Sequence, residues 1–444
     1  MRRGIGRRLL TAAATIGSIA GLSAVVLAPS AGAVAPNPNP WLQNRFLVMA
    51  HQGGEDEAPS NTMFALKSAI QDRGADSLEL DVNMSSDGQL MVIHDDTWKR
   101  IACTDALCPG PDSSTEQHRP ATEVNDLTAA ELQQLDAGYW FRPGSYSHDY
   151  TLPDSAYPYR GIRTGAVPPP TGYSPEDFVI PTLKQVLDTF PGIPINVEIK
   201  MIKTTTGTAG GCVMDNGTQY CDDPDSSMPV ADALAGLLNN EPQSVRDNVI
   251  VVSFSDQLLA EFHQMDHTPN VALAGATDGT TNFALFGTTP NPDVAAFQVP
   301  PEQSGFDVPQ LLLQNQHAHE LGYAVHVWTN GDQDETDASY AHLYGLGVDG
   351  IMSSDPSRLS AWLCANHVPR PDGSSRGPGC AAPVPSGGSP PPAPQRKVKR
   401  CKKGKHRKKG HCIPKRCKKH KRRKGRRCVP PKHWAQKHGK HAGR

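Results

Sequence analysis

The sequence predicts an α/β protein: a (β/α)8 TIM barrel carrying an inserted loop-rich subdomain, followed by a disordered basic C-terminal tail. Three observations predict it. Short β-rich runs alternate with amphipathic helical runs across 45–369, the pattern of parallel strands joined by crossover helices. Nine candidate strands can be read, which suits a closed barrel better than an open doubly wound sheet. No GxGxxG or GxxxxGKS/T run is present, so the glycine-rich nucleotide loop usual in an open sheet is missing.

The elements follow in order. Arg2, Arg3, Arg7 and Arg8 precede an apolar run at 9–28, and Ser30, Ala31, Gly32 and Ala33 supply a small-residue cleavage pattern. Residues 1–33 therefore read as a secretory signal peptide, leaving no transmembrane span after cleavage. An uncleaved anchor is the competing reading, because about 20 apolar residues can cross a bilayer. The Arg7-Arg8 pair is compatible with twin-arginine export. A short Pro/Asn linker at 35–40 leads into the globular unit.

Within that unit the candidate strands are 46–50, 77–82, 90–94, 195–200, 248–254, 270–274, 295–299, 324–329 and 350–353. Their β-branched and aliphatic content suits strands buried on both faces. Helical periodicity marks 62–73, 182–190, 230–238, 256–264, 309–321 and 334–346. The interval 97–180 is too long for a barrel loop and is rich in Pro, Gly, Tyr and Ser, with one helical piece at 128–135. It reads as an insertion over one barrel mouth, either a substrate-selecting lid or a decoration.

From 370 the composition shifts. Residues 370–395 form a Pro/Gly/Ser linker, and 396–444 hold 24 Lys/Arg and no acid. A 16-residue unit repeats there, CKKGKHRKKGHCIPKR at 401–416 and CKKHKRRKGRRCVPPK at 417–432. Residues 34–395 carry 16 bases against 45 acids, so the formal net charge of −1 sums an acidic body and a basic tail. Such a tail suits an anionic cell-envelope polymer or lipid; nucleic acid is also compatible with the charge, though not as the substrate. The ten cysteines fall into local pairs, 103/108, 212/221, 364/380, 401/412 and 417/428, which in an exported chain favours disulfides. Zinc in the tail is the alternative, but ten-residue gaps are not C-x2–4-C spacing.

Strand ends at one barrel mouth are where a (β/α)8 enzyme keeps its chemistry. His51 ends the first candidate strand and is followed by Gln52, Gly53 and Gly54. Glu79 and Asp81 lie two apart, hence on one face of a strand, with Leu78, Leu80 and Val82 on the other. His94 ends the 90–94 run, and Glu198 and Lys200 repeat the two-residue spacing. Taken singly, each motif is as compatible with a solvated strand end or a surface histidine as with a site. Together they suit a divalent cation, Ca2+ or Mg2+, on Glu79, Asp81 and Glu198, with Lys200 against a phosphate and the two histidines moving protons. Trp328 is a candidate substrate-binding aromatic or a barrel-wall residue; Asn330 and Asp355 follow strand ends with no role assigned.

These residues resemble the glycerophosphodiester phosphodiesterases, within the phospholipase C-like phosphodiesterase barrels. The resemblance runs through AHQGG at 50–54, APSNTMFALKSAI at 58–70, GADSLELDV at 74–82, DGQLMVIHDD at 87–96, IPTLKQVLDTFPGIPINVEIK at 180–200, VVSF at 251–254, VHVWTN at 325–330 and GVDGIMSSDP at 347–356. It implies that His51 and His94 are the acid/base pair, that Glu79, Asp81 and Glu198 bind the metal, and that Lys200 contacts phosphate. The implied reaction is hydrolysis of a glycerophosphodiester to glycerol 3-phosphate and an alcohol; the signal segment and the basic tail make a secreted or envelope-associated enzyme the expectation. Two departures stand out. Gln52 replaces the arginine that helps hold phosphate in the family, and Ser60 stands in the family's Pro-Glu-Asn-Thr, where Ser and Asn are both good helix caps. A phospholipase D-like, phosphoinositide or polyglycerol-phosphate substrate is the alternative, and an inactive envelope-binding barrel is a second.

Overall fold

Eight aliphatic runs form parallel strands: β1 (Leu47–Ala50), β2 (Ser77–Met84), β3 (Ile195–Ile199), β4 (Val249–Val252), β5 (Ala272–Gly275), β6 (Val294–Val299), β7 (Ala324–Trp328) and β8 (Gly350–Ser353). Each pairs in parallel with its neighbour in chain order, and β1 pairs with both β2 and β8, so the sheet closes into a barrel. This computed structural model describes residues 39–380, except 44, 99–101, 104–122, 145–151, 216, 268–269, 292, 330, 332 and 378–379. It also describes backbone at 405–408, 411–414, 422–424 and 427–429. The signal segment, Cys108, most of the linker and the tail side chains lie outside the described residues. No helix among the described residues is long and apolar enough to cross a membrane.

The two faces of the barrel have separate cores. Val48, Leu78, Leu80, Val82, Val197, Ile199 and Val251 point outward and pack under the helices with Leu66, Leu187 and Leu234. Each such side chain contributes about 1.5–3 kcal/mol when fully buried. Leu47, Met49, Ile250, Ala274, Ala324 and Met352 fill the interior. At the end opposite the strand C-termini, the turn Pro40–Gln43 inserts buried Trp41 against His326, with ring centroids 6.0 Å apart. Asn39 anchors that turn by donating to Ala295 O at 2.7 Å and Gly322 O at 2.9 Å. Arg376, past the last helix, is also buried and donates to Asp76 Oδ2 and Phe46 O at 2.8 Å each.

Helix starts follow their capping residues. Thr62 caps Met63–Gln71 by accepting from Ala65 N, so in the 59–62 segment the cap is the threonine and Asn61 is left for another task. Asp223 and Asp355 cap Pro224–Asn239 and Pro356–Ala365, each with proline in the first turn. The 309–321 pattern forms Val308–Gln310 and then a π-helical turn, Leu311–Asn315, and does not continue as an α-helix. Helices Thr277–Phe286 and Pro356–Ala365 had no clear periodic signal: the first is rich in threonine, and the second buries only one short stripe.

The 90–94 run is not a barrel strand. Leu90–Val92 turns back antiparallel to the end of β2, because Ser85–Gly88 makes a tight turn too short for a crossover. The described part of the insertion has its own apolar cluster around Trp98, Leu132, Leu135 and Trp140. It packs on helix Met63–Gln71 through Phe64, which stacks on Phe178 with centroids 4.5 Å apart. Disulfides join Cys212 to Cys221 and Cys364 to Cys380; Cys103 is bridged to a partner outside the described residues. In the tail, taken by itself, Lys405–Lys408 pairs with His411–Pro414 and Arg422–Lys424 with Arg427–Val429. Arg407 faces Cys412 and Arg423 faces Cys428, the same register sixteen residues apart, so both repeat copies form the same hairpin.

Candidate active site

Alternation along β2 turns Glu79 and Asp81 inward, and the β2–β3 register sets Asp81 beside Glu198. One carboxylate oxygen from each of the three lies within 4.8 Å of the others. Burial, then the charges of Asp81 and Glu198, push Glu79 up to about 8. Asp81 moves the other way. Burial opposes its charge, but His94, Lys200 and a hydrogen bond from Asn61 hold it below the usual carboxylate range. Asn61, at φ 59°, donates to Asp81 Oδ2 at 2.8 Å. Asp81 Oδ1 is buried with no hydrogen bond. A partly unsatisfied, all-oxygen donor set of this kind fits a hard cation such as Ca2+ or Mg2+.

His51 leaves β1 into a tight turn that is packed on the first helix. A Cβ at Gly53 would lie 2.7 Å from Ala65 Cβ, and Gly53 and Gly54 have φ of 83° and 88°, so the turn requires glycine there. His51 Nδ1 is 2.6 Å from Glu55 Oε1, and Nε2 faces Glu79 Oε2 at 3.8 Å. Burial disfavours the imidazolium, but Glu55 and then Glu79 outweigh it and raise His51 to about 10. His94 reaches the same mouth because the strand carrying it doubles back, and Asn83 Nδ2 fixes the return by donating to Ile93 O and Asp95 O at 3.1 Å each. His94 Nδ1 is 2.8 Å from Asp95 Oδ1, and Nε2 is 3.1 Å from Lys200 Nζ. Lys200 also donates to Glu198 Oε1 at 2.7 Å. Burial works against its charge, but Glu198 and Asp81 hold the ammonium well above its ordinary value.

His51, His94, Glu79, Asp81, Glu198 and Lys200 thus share one mouth. Gln52 takes part through its backbone: its N–H donates to Glu79 Oε2 at 2.8 Å, while its side chain is buried and Nε2 has no hydrogen-bond partner. Trp328 ends β7 edge-on to Phe254, with centroids 6.3 Å apart, and Phe254 is 50% exposed. A cleft of about 730 Å3 opens from Glu198 and Lys200 past Phe254 toward Asp222, Asp256 and Asp278. Asp355 serves as a helix cap; Asn330 lies outside the described residues. Sequence reasoning missed Glu55, Asn61, Asn83 and Phe254. Only Glu55, four residues past His51, had a spacing that hinted at contact, and Asn61 was read as a cap.

The sequence model of the Glycerophosphoryl diester phosphodiesterase family matches residues 51–358. The Bacillus subtilis (strain 168) protein YhdW is 36% identical over 310 residues, 70% of this chain and 94% of that one. A glycerophosphodiester phosphodiesterase of the same strain is 28% identical over 322 residues, 70% of this chain and 85% of that one. Among solved structures, an Oleispira antarctica phosphodiesterase in complex with the product sn-glycerol-3-phosphate is 20% identical, with 72% of this chain and 97% of that chain covered and a TM-score of 0.46.

Proposed function

The chain belongs to the glycerophosphoryl diester phosphodiesterase family, and on that premise we propose that it is an exported enzyme hydrolysing glycerophosphodiesters to glycerol 3-phosphate and an alcohol. The observation that carries the reading is the convergence of three carboxylates, two histidines and a lysine on one barrel mouth. Glu79, Asp81 and Glu198 would hold the divalent cation, which when bound supplies Lewis-acid stabilisation of charge on the phosphoryl oxygens. Lys200 adds a fixed positive charge beside that position. One histidine takes a proton from a water, or from the glycerol 2-hydroxyl, as that oxygen attacks phosphorus; on the second route the first product is a cyclic glycerol phosphate, which a water then opens to glycerol 3-phosphate with return of the proton to the 2-oxygen. The other protonates the leaving alcohol oxygen. Trp328 and Phe254 offer an apolar wall for the glycerol or alcohol part, and the inward Gln52 in place of arginine leaves Lys200 as the phosphate-facing side-chain cation of this set.

Export is supported by the arginine-flanked apolar run at 9–28 and by disulfides such as Cys212–Cys221 and Cys364–Cys380, which persist in oxidising compartments. The basic tail would hold the enzyme on an anionic envelope polymer or lipid by charge alone. The size of the cleft favours a second substrate reading, a lysophospholipid, whose glycerol part carries an acyl chain, or polyglycerol phosphate, whose alcohol part is larger than choline. A panel of glycerophosphocholine, lysophosphatidylcholine and polyglycerol phosphate separates the two. Turnover of the first at the highest kcat/KM supports the main reading; none with any of the three would overturn both.

A further inference from the structure

Glu55 is a buried carboxylate that the reaction outlined above does not use. It sits four residues after His51, and its side chain is 5% exposed. Oε1 takes two hydrogen bonds, from His51 Nδ1 at 2.6 Å and from Ser354 Oγ at 2.8 Å. Ser354 is itself fixed from behind: its N–H donates to the buried carboxylate of Glu335 at 2.8 Å, and its carbonyl accepts from Asp56 N at 3.1 Å. Glu335 is held in turn by Thr329 Oγ1 at 2.7 Å, by Ser353 Oγ at 3.0 Å and by Tyr340 OH. The loop after β1 is thereby locked to the end of β8, and Glu55 is placed by groups outside the set of His51, His94, Glu79, Asp81, Glu198 and Lys200.

A carboxylate on Nδ1 has a definite consequence for an imidazole. It accepts the Nδ1 proton, which fixes the ring angle and leaves Nε2 facing the other way. Here Nε2 faces Glu79 Oε2 at 3.8 Å, inside the mouth. We propose that Glu55 is the positioning residue of His51: it holds the ring by Nδ1 so that Nε2 alone meets the reacting phosphodiester, and Ser354 and Glu335 keep it in place. His94 has a carboxylate on the same nitrogen, Asp95 at 2.8 Å, so both proton-transfer groups are oriented alike. The proposal rests on the phosphodiesterase reading for its kinetic consequence, but the geometry of the His51–Glu55 pair can be read without turnover.

The test is on the full chain, with wild type, Glu55→Gln and Glu55→Ala. Long-range 1H–15N spectra report whether the His51 Nδ1 proton is held in a hydrogen bond, and glycerophosphocholine turnover reports kcat and KM. The expected result is a His51 Nδ1–H signal in wild type that is lost in Glu55→Ala, with kcat lower by about 10–100-fold and KM changed by less than about two-fold. Glu55→Gln, which keeps a neutral acceptor at the same place, falls between. An unchanged Nδ1–H signal in Glu55→Ala overturns the proposal whatever happens to the rate. So does a lost signal with wild-type kcat, since Glu55 would then only tie the loop. If wild type turns over no phosphodiester, the functional reading fails, and the spectra still decide whether Glu55 sets the ring.

Discussion

Lys200 Nζ lies 3.1 Å from His94 Nε2 and 2.7 Å from Glu198 Oε1. An ammonium has only protons to give, so a hydrogen bond between the two requires Nε2 to accept, with a ring proton on Nδ1 toward Asp95. Lys200 therefore joins a carboxylate of the proposed cation site to the mouth-facing nitrogen of a proposed acid/base group. Lys200→Met should lower kcat/KM by about 100-fold, the scale of losing one preorganised charge at a phosphoryl oxygen. The Ca2+-induced rise in Tm should persist, because the carboxylates remain. Steady-state kinetics and a melting curve check both.

Asn61 should matter more than a helix-start residue would. It fixes Asp81 Oδ2 at 2.8 Å from a left-handed backbone position. Asn61→Gly keeps that backbone free of strain and removes only the side chain. Cation affinity should fall by about 10–100-fold, as for other groups that orient a ligand. Titration calorimetry with Ca2+ measures it.

Cation binding should strengthen with pH. Glu79 is raised from 4.5 to about 8 in the folded protein, so its proton stabilises the metal-free fold and that contribution is lost as pH rises from 4.5 through 8. A cation must displace the same proton. Saturating Ca2+ should therefore raise Tm more at pH 8 than at pH 6, and Asp81→Asn should reduce the rise at both. Differential scanning calorimetry at the two pH values reads this directly.

Much of the fold was legible because barrel strands carry their period openly. All eight carry apolar side chains on the face turned to the helices, and the inward pair Glu79 and Asp81 follows from alternation alone. What was not legible depends on turns. The direction of Leu90–Val92 is set by a turn at 85–88 that local composition does not distinguish from a crossover start, so His94 reached the mouth by a different route from a strand end. Asn61 and Thr62 are both capping types, and only the packed loop decides which one caps. Gln52 stands where the family's phosphate-holding arginine would be, a position that suggests a side chain facing substrate. Its left-handed backbone buries that side chain and presents the N–H to Glu79. The partnership of Glu335 with Ser353 and Ser354 joins segments that no sequence period relates.

His326 gives the barrel an acid limit unrelated to catalysis. Burial is the largest cause, only partly offset by Asp349 and the backbone of Trp41, and it lowers His326 from 6.5 to about 4. The neutral ring is the folded form, so stability is complete above pH 6.5 and is lost as pH falls toward 4, where the unfolded chain takes up a proton that the folded chain refuses. The loss is about 3 kcal/mol. Urea melts across that range should show it, and His326→Leu should flatten the slope relative to wild type.

The central claim is a cation-dependent phosphodiesterase that cuts on the alcohol side of phosphorus. The most direct measurement is product analysis of glycerophosphocholine incubated with the purified full chain, before chelation, after it, and after Ca2+ or Mg2+ is restored. The account predicts glycerol 3-phosphate and choline, near-complete loss on chelation, and recovery with the cation. An unchanged rate after chelation, or phosphocholine and glycerol as the products, would contradict it.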